Sequence, residues 1–154
     1  MAGETIERYR VIAAPPEEVW KVLSDLRRMA EWSKDVDSIE LLCGDGATVG
    51  SRFMGNNQDE TRTWSMVCVV DECEPGRRLE FHTETPEGEA RTRWWYEIEA
   101  TADGGSRVTE GFLRLATLTE ERARRERALI GDITEYNATN IDESLRQLAT
   151  LIER

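Results

Sequence analysis

From about residue 37 to residue 115, apolar and polar side chains alternate with a period of two; on either side of that stretch the period is helical. Residues 5–13, rich in β-branched and apolar types, predict a first strand. Pro15-Pro16-Glu17-Glu18 opens a helix, because proline suits the first helical turn and acids suit its positive end. Val19, Trp20 and Leu23 share one face of it, Ser24 and Asp25 interrupt, and a second short helical piece is predicted over 26–32. Strands follow at 37–43, 50–57, 62–73, 78–85, 90–100 and 107–115, separated by Gly-, Pro- and Asn-rich turns such as Pro86-Glu87-Gly88 and Asp103-Gly104-Gly105. The alternation is clearest over 90–100, with Trp94, Tyr96 and Ile98 on one side and Arg93, Trp95, Glu97 and Glu99 on the other. Strands joined this tightly pair as an antiparallel meander. Beyond Leu118 the helical period returns, with Thr119 as N-cap, and it runs to Ile152 with Gly131-Asp132 as a break or a restart. A helix starting near Asp132 spans roughly 30 Å, close to the ~33 Å of a ten-residue strand. The expected fold is α+β: a seven-stranded curved antiparallel sheet wrapped around a long C-terminal helix, with two short helices after the first strand.

Composition narrows the function classes. The chain has 154 residues, 31 acidic against 20 basic, for a net charge of −11. That length predicts a single domain over 1–154 with a core of its own. The acidic balance argues against a nucleic-acid partner. No apolar run reaches ~18 residues, so no membrane span is expected, and the opening Met1-Ala2-Gly3-Glu4-Thr5 shows no leader pattern. Cys43, Cys68 and Cys73 have no metal-ligand spacing and are expected as reduced thiols in a cytoplasmic protein. The one histidine, His82, shares its phase with Glu80 and Glu84, which places it on the convex face in solvent. No metal set and no cofactor are expected.

The sequence Ala14-Pro15-Pro16-Glu17-Glu18-Val19-Trp20, with Leu23 and Asp25 and then Glu31-Trp32, resembles the START-like (SRPBCC) superfamily, and within it the polyketide cyclase/dehydrase-like group common in bacteria. Gly50 with Phe53, Pro75-Gly76, Trp94 with Tyr96, and Gly105 to Glu110 extend the resemblance over nearly the whole chain. It implies the helix-grip fold and a cavity between the concave face of the sheet and the last helix. Members of the superfamily hold lipids, sterols, hormones or polyketides there, and some cyclise or dehydrate aromatic polyketides. Fold alone does not choose among these.

Candidate site residues come from the strand and helix phases. Phe53, Trp64, Met66, Phe81, Trp94, Tyr96 and Phe112 take the inward phase, as core or as cavity wall. On the last helix, Ile130, Ile133, Ile141, Leu148, Leu151 and Ile152 define one face with Asn137 near its centre, Ser144 close by and Tyr136 and Asn140 toward one edge. A buried amide needs a partner, either protein or ligand. Glu110 falls between Val108 and Phe112 on one strand face, as a candidate general acid or base or as the partner of Arg62. Asn57 and Arg62 flank the 58–61 turn, either as a polar hairpin tip or, with Trp32 closing the same end, as a mouth or lid. Arg122, Arg124, Arg125 and Arg127 interleave with Glu120, Glu121 and Glu126 as a solvated helix face, and Trp95 is expected outward and exposed, a contact surface.

Three functions fit: a carrier for a hydrophobic small molecule anchored by Asn137 and Glu110; a polyketide aromatase/cyclase or dehydratase in which Glu110, Tyr96 or Arg62 moves protons; and an interaction protein with a filled cavity. A monomer or weak homodimer is expected.

Overall fold

The structure, a computed structural model, describes residues 4–154; the first three residues, read above for a leader, lie outside the described residues. The elements are β1 (Thr5–Ile12), α1 (Pro16–Leu23), a 3-10 turn (Leu26–Arg28) running into α2 (Met29–Trp32), β2 (Val36–Cys43), β3 (Arg52–Gln58), β4 (Thr63–Glu74), β5 (Arg78–Glu84), β6 (Ala90–Ala100), β7 (Ser106–Arg114), α3 (Glu120–Ile130) and α4 (Ile133–Ile152). The strands form one antiparallel sheet in the order β1-β7-β6-β5-β4-β3-β2, so the first strand pairs with the last. Register shifts in the β2–β3, β4–β5 and β5–β6 pairs bend the sheet. Its concave face closes on α4 to give the expected helix grip.

Two helices stand where the sequence pattern runs on as one. Gly131, at φ 74°, takes a backbone conformation that a side chain disfavours, and it ends α3. Asp132 then caps α4, its Oδ1 accepting from the amides of Thr134 at 2.9 Å and Glu135 at 3.2 Å. α4 buries Asn137, Ala138, Ile141, Ser144, Leu145, Leu148 and Ala149. The buried stripe keeps Asn137, Ile141, Ser144 and Leu148 of the expected face and extends to Ala138, Leu145 and Ala149, whereas Ile130 belongs to α3 and Leu151 and Ile152 are only half-buried. α3 buries no residue and is held by Arg114, whose guanidinium lies between Glu4 at 2.7 Å and Glu126 at 2.7 Å. Its Arg122, Arg124, Arg125 and Arg127 are exposed, as expected.

The register of β1, ambiguous in the sequence, is set by Ile12 opposite Ser106 and Ile6 opposite Phe112. Ile12 is buried, whereas Tyr9 and Val11 are exposed.

On the convex face two expectations are corrected. Trp95 points outward but is buried, at 9% exposure, because its indole lies flat across Gly111 and its Nε1–H donates to Glu7 Oε2 at 2.7 Å. His82 is not free in solvent: its Nδ1 meets Asp71 Oδ2 at 2.7 Å and its Nε2 meets Glu84 Oε2 at 3.1 Å. Only the imidazolium donates from both nitrogens. Partial burial pulls its pKa down, but the hydrogen bonds and charges of Asp71 and Glu84 outweigh that and raise it above the ordinary histidine value. A raised histidine adds stability that is fully present below its unfolded pKa and is lost as pH rises through the folded one. NMR titration of the His82 ring should place its midpoint above the ordinary 6.5, and Asp71→Asn should move it down. An unmoved midpoint in that variant would rule the pairing out.

Candidate functional site

The site follows from the two central strands. The tight Asp103-Gly104-Gly105 turn sets Ala100 opposite Ser106, and counting back puts Ile98 opposite Val108, Tyr96 opposite Glu110 and Trp94 opposite Phe112. All six face α4. Successive pairs are about 7 Å apart along the strands, so these three pairs lie at three depths. Ile98 and Val108 are sealed at the closed end under α1, Tyr96 and Glu110 are buried in the middle, and Trp94 is half-buried at the open end.

Glu110 is 3% exposed. Its Oε2 accepts the Tyr96 hydroxyl at 3.0 Å, and its Oε1 has no partner. No ion pair reaches it among the described residues. Burial pushes the carboxyl pKa up to about 8, and the Tyr96 hydrogen bond only partly opposes this. Burial, with the nearby Glu110, raises the Tyr96 hydroxyl well above its usual range. Near neutral pH the pair is thus a neutral acid beside a neutral phenol.

Arg62, offered as a partner for Glu110, is elsewhere. Its Nε donates to Asp59 Oδ2 at 3.2 Å, and its guanidinium lies 4.2 Å above the Trp64 ring. The reason is local: Asp59 opens the 59–62 turn, accepting the amides of Thr61 and Arg62, and this holds Arg62 at the sheet tip.

Trp32 closes over the middle layer. It is 0% exposed, stands edge-on to Tyr96 with ring centroids 5.6 Å apart, and its Nε1 has no acceptor. Around this layer the aromatic rings touch: Phe53 and Phe81 at 5.3 Å, Phe81 and Tyr96 at 6.5 Å, Trp94 and Phe112 at 4.9 Å. Ile141 packs with them in the core. Trp64, Met66 and Asn57 take the inward phase, but with Trp94 and Ile133 they are only half-buried, at the rim rather than in the core.

The polar residues of α4 divide. Ser144 Oγ accepts the amide of Lys34 at 2.8 Å, a structural bond that ties α4 to the end of α2. Asn140 donates to Asp35 at 3.1 Å, and the Tyr136 hydroxyl lies 3.3 Å from both Asp35 and Asp59, joining α4 to the β3–β4 tip. Asn137 is buried, and no side-chain hydrogen bond joins its amide to a described residue. Solvent-open clefts flank this half of α4. One, of about 360 Å³, is lined by Lys34, Asp35, Val36, Asp37, Gln58, Asp59 and Glu60; the other, of about 400 Å³, by Ile6, Arg8, Thr134, Glu135, Ala138 and Thr139. Neither cleft is lined by Glu110, Tyr96, Trp32 or Asn137.

Sequence reasoning missed the Tyr96–Glu110 bond and the role of Trp32. Counting back from the Asp103-Gly104-Gly105 turn is enough to find the first. No local signal marks Trp32 as a donor without an acceptor. Among the described residues no cluster of His, Cys, Asp and Glu is placed to hold a metal, and no helix is long and apolar enough to cross a membrane.

The fold recurs in solved structures. A protein of Thermus thermophilus superposes with a TM-score of 0.75 at 20% identity, covering 97% of each chain. The Zhui aromatase/cyclase from a Streptomyces species gives 0.71 at 18% identity, covering 98% of this chain and 94% of that one. Ara h 8.0201 gives 0.62 at 16% identity, covering 97% of both. At these identities the likeness establishes the helix-grip fold alone. No curated protein sequence matches the chain. The family model described as "Polyketide cyclase / dehydrase and lipid transport" matches residues 4–153, nearly the whole chain, and the protein therefore belongs to that family, within the START-like superfamily.

Proposed function

We propose that the protein binds an apolar small molecule between the concave face of its sheet and α4, with Glu110 and Tyr96 at the deep polar end. The observation that carries this reading is Glu110: a buried carboxyl with one unpartnered oxygen, set among aromatic rings one strand repeat behind a half-buried rim. Leaving a buried polar atom unpaired costs about 1–3 kcal/mol, a cost that a functional role explains better than packing. Asn137, a buried amide of α4, is the second polar anchor of this reading. The family, which takes in both polyketide cyclases and lipid transport proteins, supports an apolar cargo. The protein would act as a cytoplasmic carrier.

Native mass spectrometry of the purified protein tests this. An apolar molecule should co-purify at one per chain and leave on denaturation, and NMR shifts on adding it back should centre on Tyr96, Phe112 and Asn137. Shifts confined to the outer face of the sheet would overturn the reading.

A second reading, a cyclase or dehydratase, is favoured by one observation: the buried Glu110 carboxyl is hydrogen-bonded to the Tyr96 phenol, and burial, which pushes it up to about 8, suits it to exchange protons at neutral pH. Glu110→Gln separates the two. A catalyst should lose turnover by about 10²–10⁴, whereas a carrier should keep most of its affinity. The interaction reading has lost its main support, because Trp95 is not exposed.

A further inference from the structure

Two buried polar atoms face the interior without partners: the Trp32 Nε1–H and Glu110 Oε1. They belong to different elements, α2 and β7, and Tyr96 links them, its ring meeting Trp32 edge-on and its hydroxyl bonded to Glu110. Trp32 can only donate. Glu110 has its Oε2 occupied as an acceptor, so when the acid is neutral the atom left over is an O–H donor. With the acid neutral, both of these unpartnered atoms are donors.

Cations are absent. Arg8 is directly opposite Glu110 in the sheet but turns out to Asp142 at 3.7 Å. Arg62 is held by Asp59, Arg114 is locked between Glu4 and Glu126, and Arg10 is exposed at the sheet edge. From α4 the buried face brings no titratable side chain, and from β4 only the Cys68 thiol, pushed up by burial to about 12. An anionic ligand would find no counter-charge and would meet a carboxyl.

Building on the binding reading above, we infer that the site selects uncharged molecules that present a carbonyl oxygen to Trp32 and Glu110, and that it rejects the corresponding carboxylates. The ligand class is an apolar ketone, aldehyde or ester rather than a free fatty acid. Glu110 serves as a neutral donor, so affinity for such a ligand falls when it ionises. The titratable groups near it are Tyr96 and Cys68, and both are neutral through that range.

Three probes of one shape test this by calorimetry on the full chain: 2-acetylnaphthalene, its methylene isostere 2-isopropenylnaphthalene, and 2-naphthoate. At about pH 6 the ketone should bind about tenfold tighter than either of the others. Trp32→Phe should remove much of that advantage. Glu110→Gln, which keeps an acceptor for the Tyr96 hydroxyl and a donor beside it, should preserve it. At about pH 10 the wild-type protein should lose ketone affinity several-fold while the Gln variant does not. Equal binding of ketone and alkene, or tight binding of the naphthoate, overturns the carbonyl inference and leaves the apolar site standing. If none of the three binds, both fall.

Discussion

Gly111→Ala should cost the protein about 3 kcal/mol, although it adds one methyl group to a strand. In most strands alanine is no worse than glycine, since glycine gives up more backbone entropy on folding. Here a Cβ on residue 111 would fall inside the van der Waals radii of Cε2, Cζ2 and Nε1 of Trp95. Neither side can yield cheaply. The Gly111 backbone is paired on both sides, to Glu7 in β1 and to Trp95 in β6, and lies inside the sheet. The indole must therefore swing into water, losing the contact that keeps it 9% exposed and its hydrogen bond to Glu7. Displacing a buried tryptophan altogether costs about 3–5 kcal/mol, which bounds the effect. Urea unfolding should report the loss, with a melting point roughly 10 °C lower. A double-mutant cycle isolates the cause: on a Trp95→Ala background the same change should cost less than about 0.5 kcal/mol. If Gly111→Ala alone is that mild, the packing of indole on glycine is not what holds this face.

The same residues show where sequence reasoning reaches and where it stops. A period of two assigns faces, so Trp94, Tyr96 and Ile98 fall on α4's side and Trp95 on the other. Burial on a face depends on what lies opposite, which a single strand does not reveal. Trp95 reads as exposed because its neighbours in sequence include charged Arg93 and Glu97, but its true neighbours are Gly111 and Glu7, across two strand pairings. Glu110 repeats the lesson. Its inward phase is legible, but its partner is not Arg62, because the Asp59 turn keeps that side chain at the sheet tip and the β6–β7 register brings Tyr96 instead. Helix faces suffer similarly: α4 buries Ala138, Leu145 and Ala149 beside the expected Asn137, Ile141, Ser144 and Leu148, because how wide a face is covered depends on what packs against it.

The pH dependence of stability should change most with Glu110→Gln. Burial raises the folded pKa of Glu110 to about 8, from an unfolded value of 4.5. Between those values the folded protein holds a proton that the unfolded chain has released, so stability falls as pH rises. Below about 4.5 the acid is neutral in both states and the penalty is absent; above about 8 it is complete. The difference, 8 − 4.5, amounts to about 5 kcal/mol of stability lost across the window. Glutamine has nearly the same shape, accepts the Tyr96 hydroxyl as the neutral acid does, and does not ionise. The two proteins should match within about 1 kcal/mol near pH 5. By about pH 9 the variant should be the more stable by about 3–5 kcal/mol. Every other titrating group is common to both and cancels in the difference. Urea unfolding at three pH values measures it, and a difference that stays constant with pH would mean that Glu110 is ionised in the folded protein, its unpartnered oxygen solvated or paired.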